Sequence, residues 1–290
     1  MSDSNSNSTH QSGLLPLYLS VMLLSLNGLF ARSIALDATS ITQLRSVVAA
    51  LGLLVLLSLQ GSRLRLHDAR TAGITLVLGL ALGIHWLTFF QSMQVSSVTV
   101  GMVSLFSYPV ITVLIEPLFK GGRFHRSDIV AALLVFAGVA IMATAGGDQQ
   151  GNVRAGVFWG LVSALFFSLR NVSQKYWLHH VSSGSIMLYQ VCAIAVALSV
   201  FADWSQVAIL PARDWLLLVL LGLFCTAGAH TLLSMSLKRL SAKSVALISC
   251  LQPFLASLFA WLILDEAPGL QVTAGGLLVL AVAGYESLKK

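Results

Sequence analysis

The sequence predicts an all-α integral membrane protein of ten transmembrane helices, arranged as two inverted repeats of five. Three observations predict it. Apolar residues form 57% of the 290-residue chain and charged residues only 10%, with a mean hydropathy of +0.85. The apolar residues fall into ten long runs, and basic residues gather at alternate junctions between them. An ordinary soluble domain carries about 25% charged residues, because its water-facing surface needs them. A surface facing lipid does not.

Each element follows from the roughly 20 apolar residues needed to cross a hydrocarbon core of about 30 Å. Residues 1–13 are polar and Ser/Asn-rich and are expected to form a disordered cytoplasmic tail. They lack the basic start and short apolar core of a secretory signal. The first repeat, 14–146, holds spans at 14–34, 41–60, 71–91, 97–119 and 127–145. The second, 155–288, holds spans at 155–177, 184–202, 213–235, 243–264 and 268–288. Most connections are short, so neighbouring helices run antiparallel.

Loop charge orients these spans, because Lys and Arg concentrate on the cytoplasmic side. With the N-terminus inside, the inner segments carry Arg63, Arg65, Arg70, Lys120, Arg123, Arg126, Lys175, Lys238, Arg239, Lys243, Lys289 and Lys290. The outer segments carry only Arg32, Arg154 and Arg213. Twelve against three supports ten spans with both termini inside, in a bacterial-type cytoplasmic (inner) membrane. The net charge of +6 does not indicate nucleic acid, since no basic face alternates with aromatics. Cys192, Cys225 and Cys250 lie singly in apolar runs and read as small buried hydrophobes.

An internal repeat follows. A shift of 144 positions places Pro109 on Pro253, Ser92 on Ser236 and Ser97 on Ser241. Five spans per half is an odd number, so the halves lie in opposite orientations. Inverted repeats are a recurring transporter plan, with the solute site near the midplane between halves.

On these residues the chain resembles the drug/metabolite transporter superfamily, in its EamA-type ten-helix members. The resemblance is carried by LQPFLASLFAWLILDEAPGLQVTAGGLLVLAVAG (Leu251–Gly284), with its mid-helix Pro253, Glu266 and Gly275 or Gly276. It is carried also by FSYPVITVLIEPLFKGGRFHRSDIVAALLVFAGVAIM (Phe106–Met142) and by Leu44-Arg45. Where the first half would place its Glu stands Gly122, and Glu116-Pro117 lies instead at the end of span 4. The resemblance implies a secondary transporter of a small organic metabolite working by alternating access; family members export or import, and export is the expected direction here. The His, Trp, Tyr, Asn and Gln side chains of the expected pathway suit an amino acid-like or aromatic and amphiphilic cargo.

The residues expected along the solute pathway each carry a structural alternative. Pro109 and Pro253 lack an N–H and clash one turn back, freeing the carbonyls of Leu105 and Ser249. Such carbonyls are tolerable at membrane depth only against protein or a wet cavity; a static kink is the alternative. Tyr108 and Gln252 precede these prolines. The 144 shift brings Trp86 onto His230, with His85 beside it. Histidine within a span faces the bundle interior or a cavity and either meets solute or bonds two helices. Phe89, one turn from His85, stacks on solute or simply packs. Asn27 more readily bonds a neighbouring helix. For Arg170, beside Asn171, snorkelling to the inner interface is preferred over attracting a carboxylate, and Arg45 is expected to snorkel at the outer one. Glu116 is a candidate for ion coupling, though pairing with Lys120 at i+4 is preferred. Asp265 and Glu266 are expected to favour the N-terminus of span 10.

A membrane enzyme is the competing class. It is disfavoured because the sequence has no paired intramembrane acids, G-x-S-x-G elbow, H-E-x-x-H or Walker loop. No cofactor, metal or nucleic acid is expected; the partners are a small-molecule solute and the lipid bilayer, and a homodimer is compatible with the sequence. A receptor or scaffold explains the inverted repeat poorly. With no second carboxylate behind His85, His230 and Glu116, facilitated or exchange transport without an obligatory proton is expected.

Overall fold

The structure is a computed structural model, and it describes residues 3–61, 66, 68–120, 126–143, 151–240, 245, 248–249 and 251–288. Every regular element among these residues is helical. Ten passes follow one another in the predicted order. The first comprises Asp3–Ser25 and Asn27–Ser33, so its helix runs back through the polar tail to Asp3. The second to fifth are Ala38–Leu59, Ala69–Val95, Val98–Leu105 with Tyr108–Lys120, and Arg126–Ala143. The sixth and seventh are Val153–Trp177 and Ser183–Leu198. The eighth runs from Ala212 to Arg239, and Leu251–Leu264 and Leu270–Leu288 lie in the ninth and tenth. Six passes are by themselves long and apolar enough to cross a membrane; Ser183–Leu198 and Leu251–Leu264 are shorter apolar helices. Arg63, Arg65, Gly122, Arg123, Ser241, Lys243, Cys250, Lys289 and Lys290 lie outside the described residues.

The helices start where capping side chains permit. Asp37 accepts from Thr39 N (2.9 Å) and Asp68 from Thr71 N (2.7 Å). Ser97, Asn152 and Ser182 cap the fourth, sixth and seventh spans in the same way. Each satisfies an N–H that the first helical turn leaves open. The Thr71 bonds hold the exposed Asp68 carboxyl below the usual carboxylate range.

Burial is patterned for lipid. On span 2, Ser40, Thr42, Gln43, Arg45 and Ser46 are buried, whereas Leu51, Val55 and Leu59 are exposed. Apolar attraction is weak between helices in lipid, so small residues and interhelical hydrogen bonds hold them together. Span 6 shows this at Gly156 and Gly160, one helical turn apart. A Cβ on Gly160 would stand 2.3 Å from Ser104 Cβ, and one on Gly156 2.1 Å from Ser96 Oγ. That closeness lets Ser92 Oγ donate to the Gly156 carbonyl at 2.5 Å.

Packing repeats between the halves. Span 3 packs on span 6 as span 1 does on span 8, and span 3 on span 7 as span 2 does on span 8. Spans 2 and 7, 4 and 9, and 5 and 10 meet their own counterparts. Among the described residues two passes are interrupted at depth. Span 4 breaks at Phe106–Ser107, and Pro109 occupies the first turn of the following segment, where its missing N–H costs nothing. Pro253 lies within Leu251–Leu264, and Cys250 just before this stretch is outside the described residues. Span 1 breaks at Leu26, and Asn27 Nδ2 donates to the Leu24 carbonyl at 2.8 Å. Span 8, read from sequence as a regular helix, widens into a π-helix over Leu221–Gly228.

Candidate functional site

These breaks converge. A closed cavity of about 30 Å³ lies among spans 1, 2, 3, 4, 6, 8 and 9, lined by Asn27, Arg45, His85, Trp86, Phe89, Tyr108, Phe167, His230 and Gln252, with Leu24, Leu105 and Phe106 completing the wall. That volume holds a water or two, so the conformation is occluded. Seven of the residues expected from sequence, Asn27, His85, Trp86, Phe89, Tyr108, His230 and Gln252, line it. Pro109 and Pro253 follow Tyr108 and Gln252 in the chain, and Pro109 lies just past the break at Phe106–Ser107. Two wider recesses flank the site. One of about 390 Å³ lies at the Gln94–Ser97 and Leu264–Pro268 end, and one of about 730 Å³ lies between spans 2, 7 and 8 at the Lys238–Arg239 end.

The polar contacts form a connected set. Trp86 Nε1 donates to His230 Nε2 at 3.2 Å, joining the two positions related by the 144-residue repeat. An indole nitrogen only donates, so His230 Nε2 is an acceptor; the ring is neutral with its proton on Nδ1. Nδ1 is buried and has no partner among the described residues. Ser163 Oγ donates to the His85 carbonyl (3.0 Å), so His85 Nδ1 carries a proton and donates to Ser163 Oγ at 2.7 Å. The His85 ring stacks on Phe167, with centroids 4.5 Å apart.

Arg45 corrects the sequence reading. It does not reach the outer interface but is 1% exposed at the cavity wall. Its Nε donates to Thr226 Oγ1 at 2.8 Å and one Nη to Asn27 Oδ1 at 3.2 Å. The guanidinium lies 4.6 Å from the Trp86 ring centroid and 4.9 Å from that of Phe90, where the ring faces attract a cation. Thr226 can accept because the π-helix aims its hydroxyl five residues back, to the Leu221 carbonyl at 2.8 Å. π-Bulges concentrate at functional sites for such reasons.

Arg170 is a second correction. Rather than snorkelling, it is fully buried, bonding Gln190 Oε1 at 2.6 Å and Asn171 Oδ1 at 2.9 Å. Gln190 continues to Gln174 and on to Ser234. Arg170 and Asn171 therefore belong to a network beside the cavity rather than to its lining. Glu116 stays at the bundle margin, accepting from Tyr176 Oη (2.7 Å) and paired with Lys175 (3.3 Å); the Lys120 side chain lies outside the described residues. Glu266 departs from its expected place at span 10. The positive φ of Asp265 turns the loop back, and Glu266 instead caps span 4 at Val98 N (2.9 Å) while pairing with Arg32 of span 1 (2.7 Å). Sequence reasoning missed Thr226, Ser163, Phe167 and Gln190. Small polar or aromatic residues in an apolar run give no periodic signal of which face they share.

Comparison with known proteins places this geometry. The sequence profile of the EamA-like transporter family matches residues 11–144 and again 154–284. The chain is 24% identical over 209 residues to the uncharacterized transporter YxxF of Bacillus subtilis, covering 71% of this chain and 67% of that one. It is 25% identical over 267 residues to an uncharacterized transporter of Archaeoglobus fulgidus, covering 91% and 92%. A 135-residue match at 30% identity joins it to an uncharacterized transporter in the cobO 3' region of a Sinorhizobium species, covering 43% and 95%. A solved crystal structure shares the fold at a TM-score of 0.66 and 18% identity, covering 94% of this chain and 95% of that one.

Proposed function

The chain belongs to the EamA-like transporter family, and from that premise we propose that it is a secondary transporter that carries a small organic metabolite outward by alternating access. The observation that carries this reading is the occluded polar cavity between the halves, with a wider recess toward each end. Rocking of residues 14–146 against 155–288 about the breaks at Leu26 and Phe106–Ser107 would open each recess to the cavity in turn. The larger recess lies at the Lys238–Arg239 end, which the positive-inside pattern assigns to the cytoplasm; that supports loading from inside. The neutral acceptor role of His230 and the marginal position of Glu116 support transport without an obligatory proton.

Two measurements test it. Metabolites inside and outside cells with and without the protein identify the solute, and flux is then measured in proteoliposomes. The expected result is saturable counterflow that persists when an uncoupler collapses an imposed pH gradient. Absence of flux for every solute whose distribution changes in cells would overturn the transport reading, and uphill accumulation abolished by the uncoupler would overturn the proton-independent one. Orientation is tested separately. In a cysteine-free background, Gln206→Cys should react with an impermeant maleimide on intact cells and His180→Cys only after lysis. The reverse pattern would place the termini outside.

A further inference from the structure

We infer that Arg45 and His230 together form an anion site, and that the transported metabolite carries a carboxylate which this site binds when the cavity between the halves opens. The inference rests on the transport reading and names the solute class that the cavity takes. Three observations carry it. Arg45 is only 1% exposed, lines the cavity, and has Nη1 without a partner among the described residues. His230 also lines the cavity, and its Nδ1–H is buried and unpartnered among them. Both side chains approach the Trp86 ring, with Arg45 Cζ 4.6 Å and the His230 ring centroid 5.1 Å from its centroid, and both line the same cavity.

The missing counter-charge decides between a structural and a receptive role. A buried guanidinium is normally neutralised by a carboxylate or another anion, because an isolated charge at membrane depth is costly. Among the described residues Arg45 is hydrogen-bonded to a hydroxyl and an amide and paired with no carboxylate. Along the sequence, the acids outside Glu116 sit in the tail, the loops or the first and last turns of spans, and Glu116 is engaged with Lys175 and Tyr176. The fixed positive charge therefore lacks a negative partner among the described residues, and the cavity it lines, once widened by opening of either recess, is where a solute can supply one. Thr226 and Asn27 engage Nε and one Nη of the guanidinium and leave Nη1 open, and His230 supplies a neutral donor whose tautomer Trp86 sets. A carboxylate with two acceptor oxygens matches that donor pair. A cationic solute meets a like charge, and a neutral one leaves Arg45 uncompensated. The aromatic walls of Trp86, Phe89, Phe167 and Tyr108 suit an apolar body attached to the carboxylate.

The probes are benzoate, benzamide and benzylamine, alike in shape and different in charge, with chloride at equal ionic strength as the inorganic control. Binding is read as the concentration-dependent rise in melting temperature of the purified full-length protein in micelles. Benzoate should stabilise the protein, and the other three should not. Arg45→Gln should weaken benzoate binding about 30-fold or more, as loss of a buried charge partner does, while leaving the melting temperature without ligand equal or higher, because an uncompensated charge has gone. His230→Phe should weaken benzoate binding by a smaller factor. Equal stabilisation by benzamide, an equal effect of chloride, or benzoate binding unchanged in Arg45→Gln would each overturn the site. A lower ligand-free melting temperature in Arg45→Gln with benzoate affinity intact would assign Arg45 to structure. Proteoliposome counterflow separates the two readings. Benzoate bound through Arg45 but never carried would leave the anion site standing and remove transport; flux of benzylamine in preference to benzoate would do the opposite.

Discussion

Gly79→Leu is expected to leave little folded protein in the membrane, while Gly73→Leu, six residues earlier on the same helix, is tolerated. A Cβ at Gly79 would stand 2.8 Å from Gln190 Cα and 3.0 Å from the Gln190 carbonyl oxygen. Both are backbone atoms of span 7 and cannot rotate away. A Cβ at Gly73 meets nothing within 4 Å. Forcing extra carbon into a packed contact, with the backbone shift it demands, costs about 1–3 kcal/mol, which is the range expected for Gly79→Ala. Leucine adds three more carbons against a fixed backbone and must separate span 3 from span 7, consuming much of the roughly 5–15 kcal/mol that holds a typical fold. The measurement is the yield of monodisperse protein from membranes and its melting temperature in micelles. Indistinguishable yields for the two leucine variants would show that spans 3 and 7 are not in this contact.

Gln190→Leu is expected to lower stability by about 3 kcal/mol, and Arg170→Met in the same chain to restore most of it. Gln190 Oε1 accepts the 2.6 Å bond from Arg170, whose Nε already lacks a partner among the described residues. Removing that acceptor leaves a fully buried guanidinium with Asn171 as its remaining hydrogen-bond acceptor. A hydrogen bond to a charged group contributes about 1.5–3 kcal/mol, and leaving the charge uncompensated adds to the loss. Replacing both partners by apolar side chains removes the stranded charge, which is why the double variant recovers. Reversible unfolding in mixed micelles measures all three chains. If the double variant is as unstable as Gln190→Leu alone, the loss comes from packing and the guanidinium is satisfied otherwise.

Trp86 and His230 show how far the sequence reached into the site. A 144-residue shift aligned them, and in the fold they are hydrogen-bonded to each other. Positions related by a pseudo-two-fold meet when they lie near its axis, so the repeat identified a contact that no local pattern contains. Arg45 and Arg170 show where the sequence stopped. Each was seen inside a span, and a long cationic side chain there can either reach the interface or turn inward. The choice depends on partners from distant spans: Thr226 and Asn27 for Arg45, and Gln190 for Arg170.

Composition, apolar run length and loop charge determined the solvent, the ten passes and their order. Those properties follow from transfer into lipid, which each segment undergoes largely on its own. The inverted repeat was likewise legible, because proline, serine and hydropathy recur at a constant offset. Only the tertiary structure decided which polar side chains share the closed cavity, that Glu266 turns back to span 4, and that span 8 widens at Thr226. Those outcomes depend on the rotation of each helix about its axis. In a nearly uniform apolar sequence, rotation is set by close approaches such as Gly79 to span 7 and Gly160 to span 4, and by the few hydrogen bonds that dry surroundings make costly to leave open.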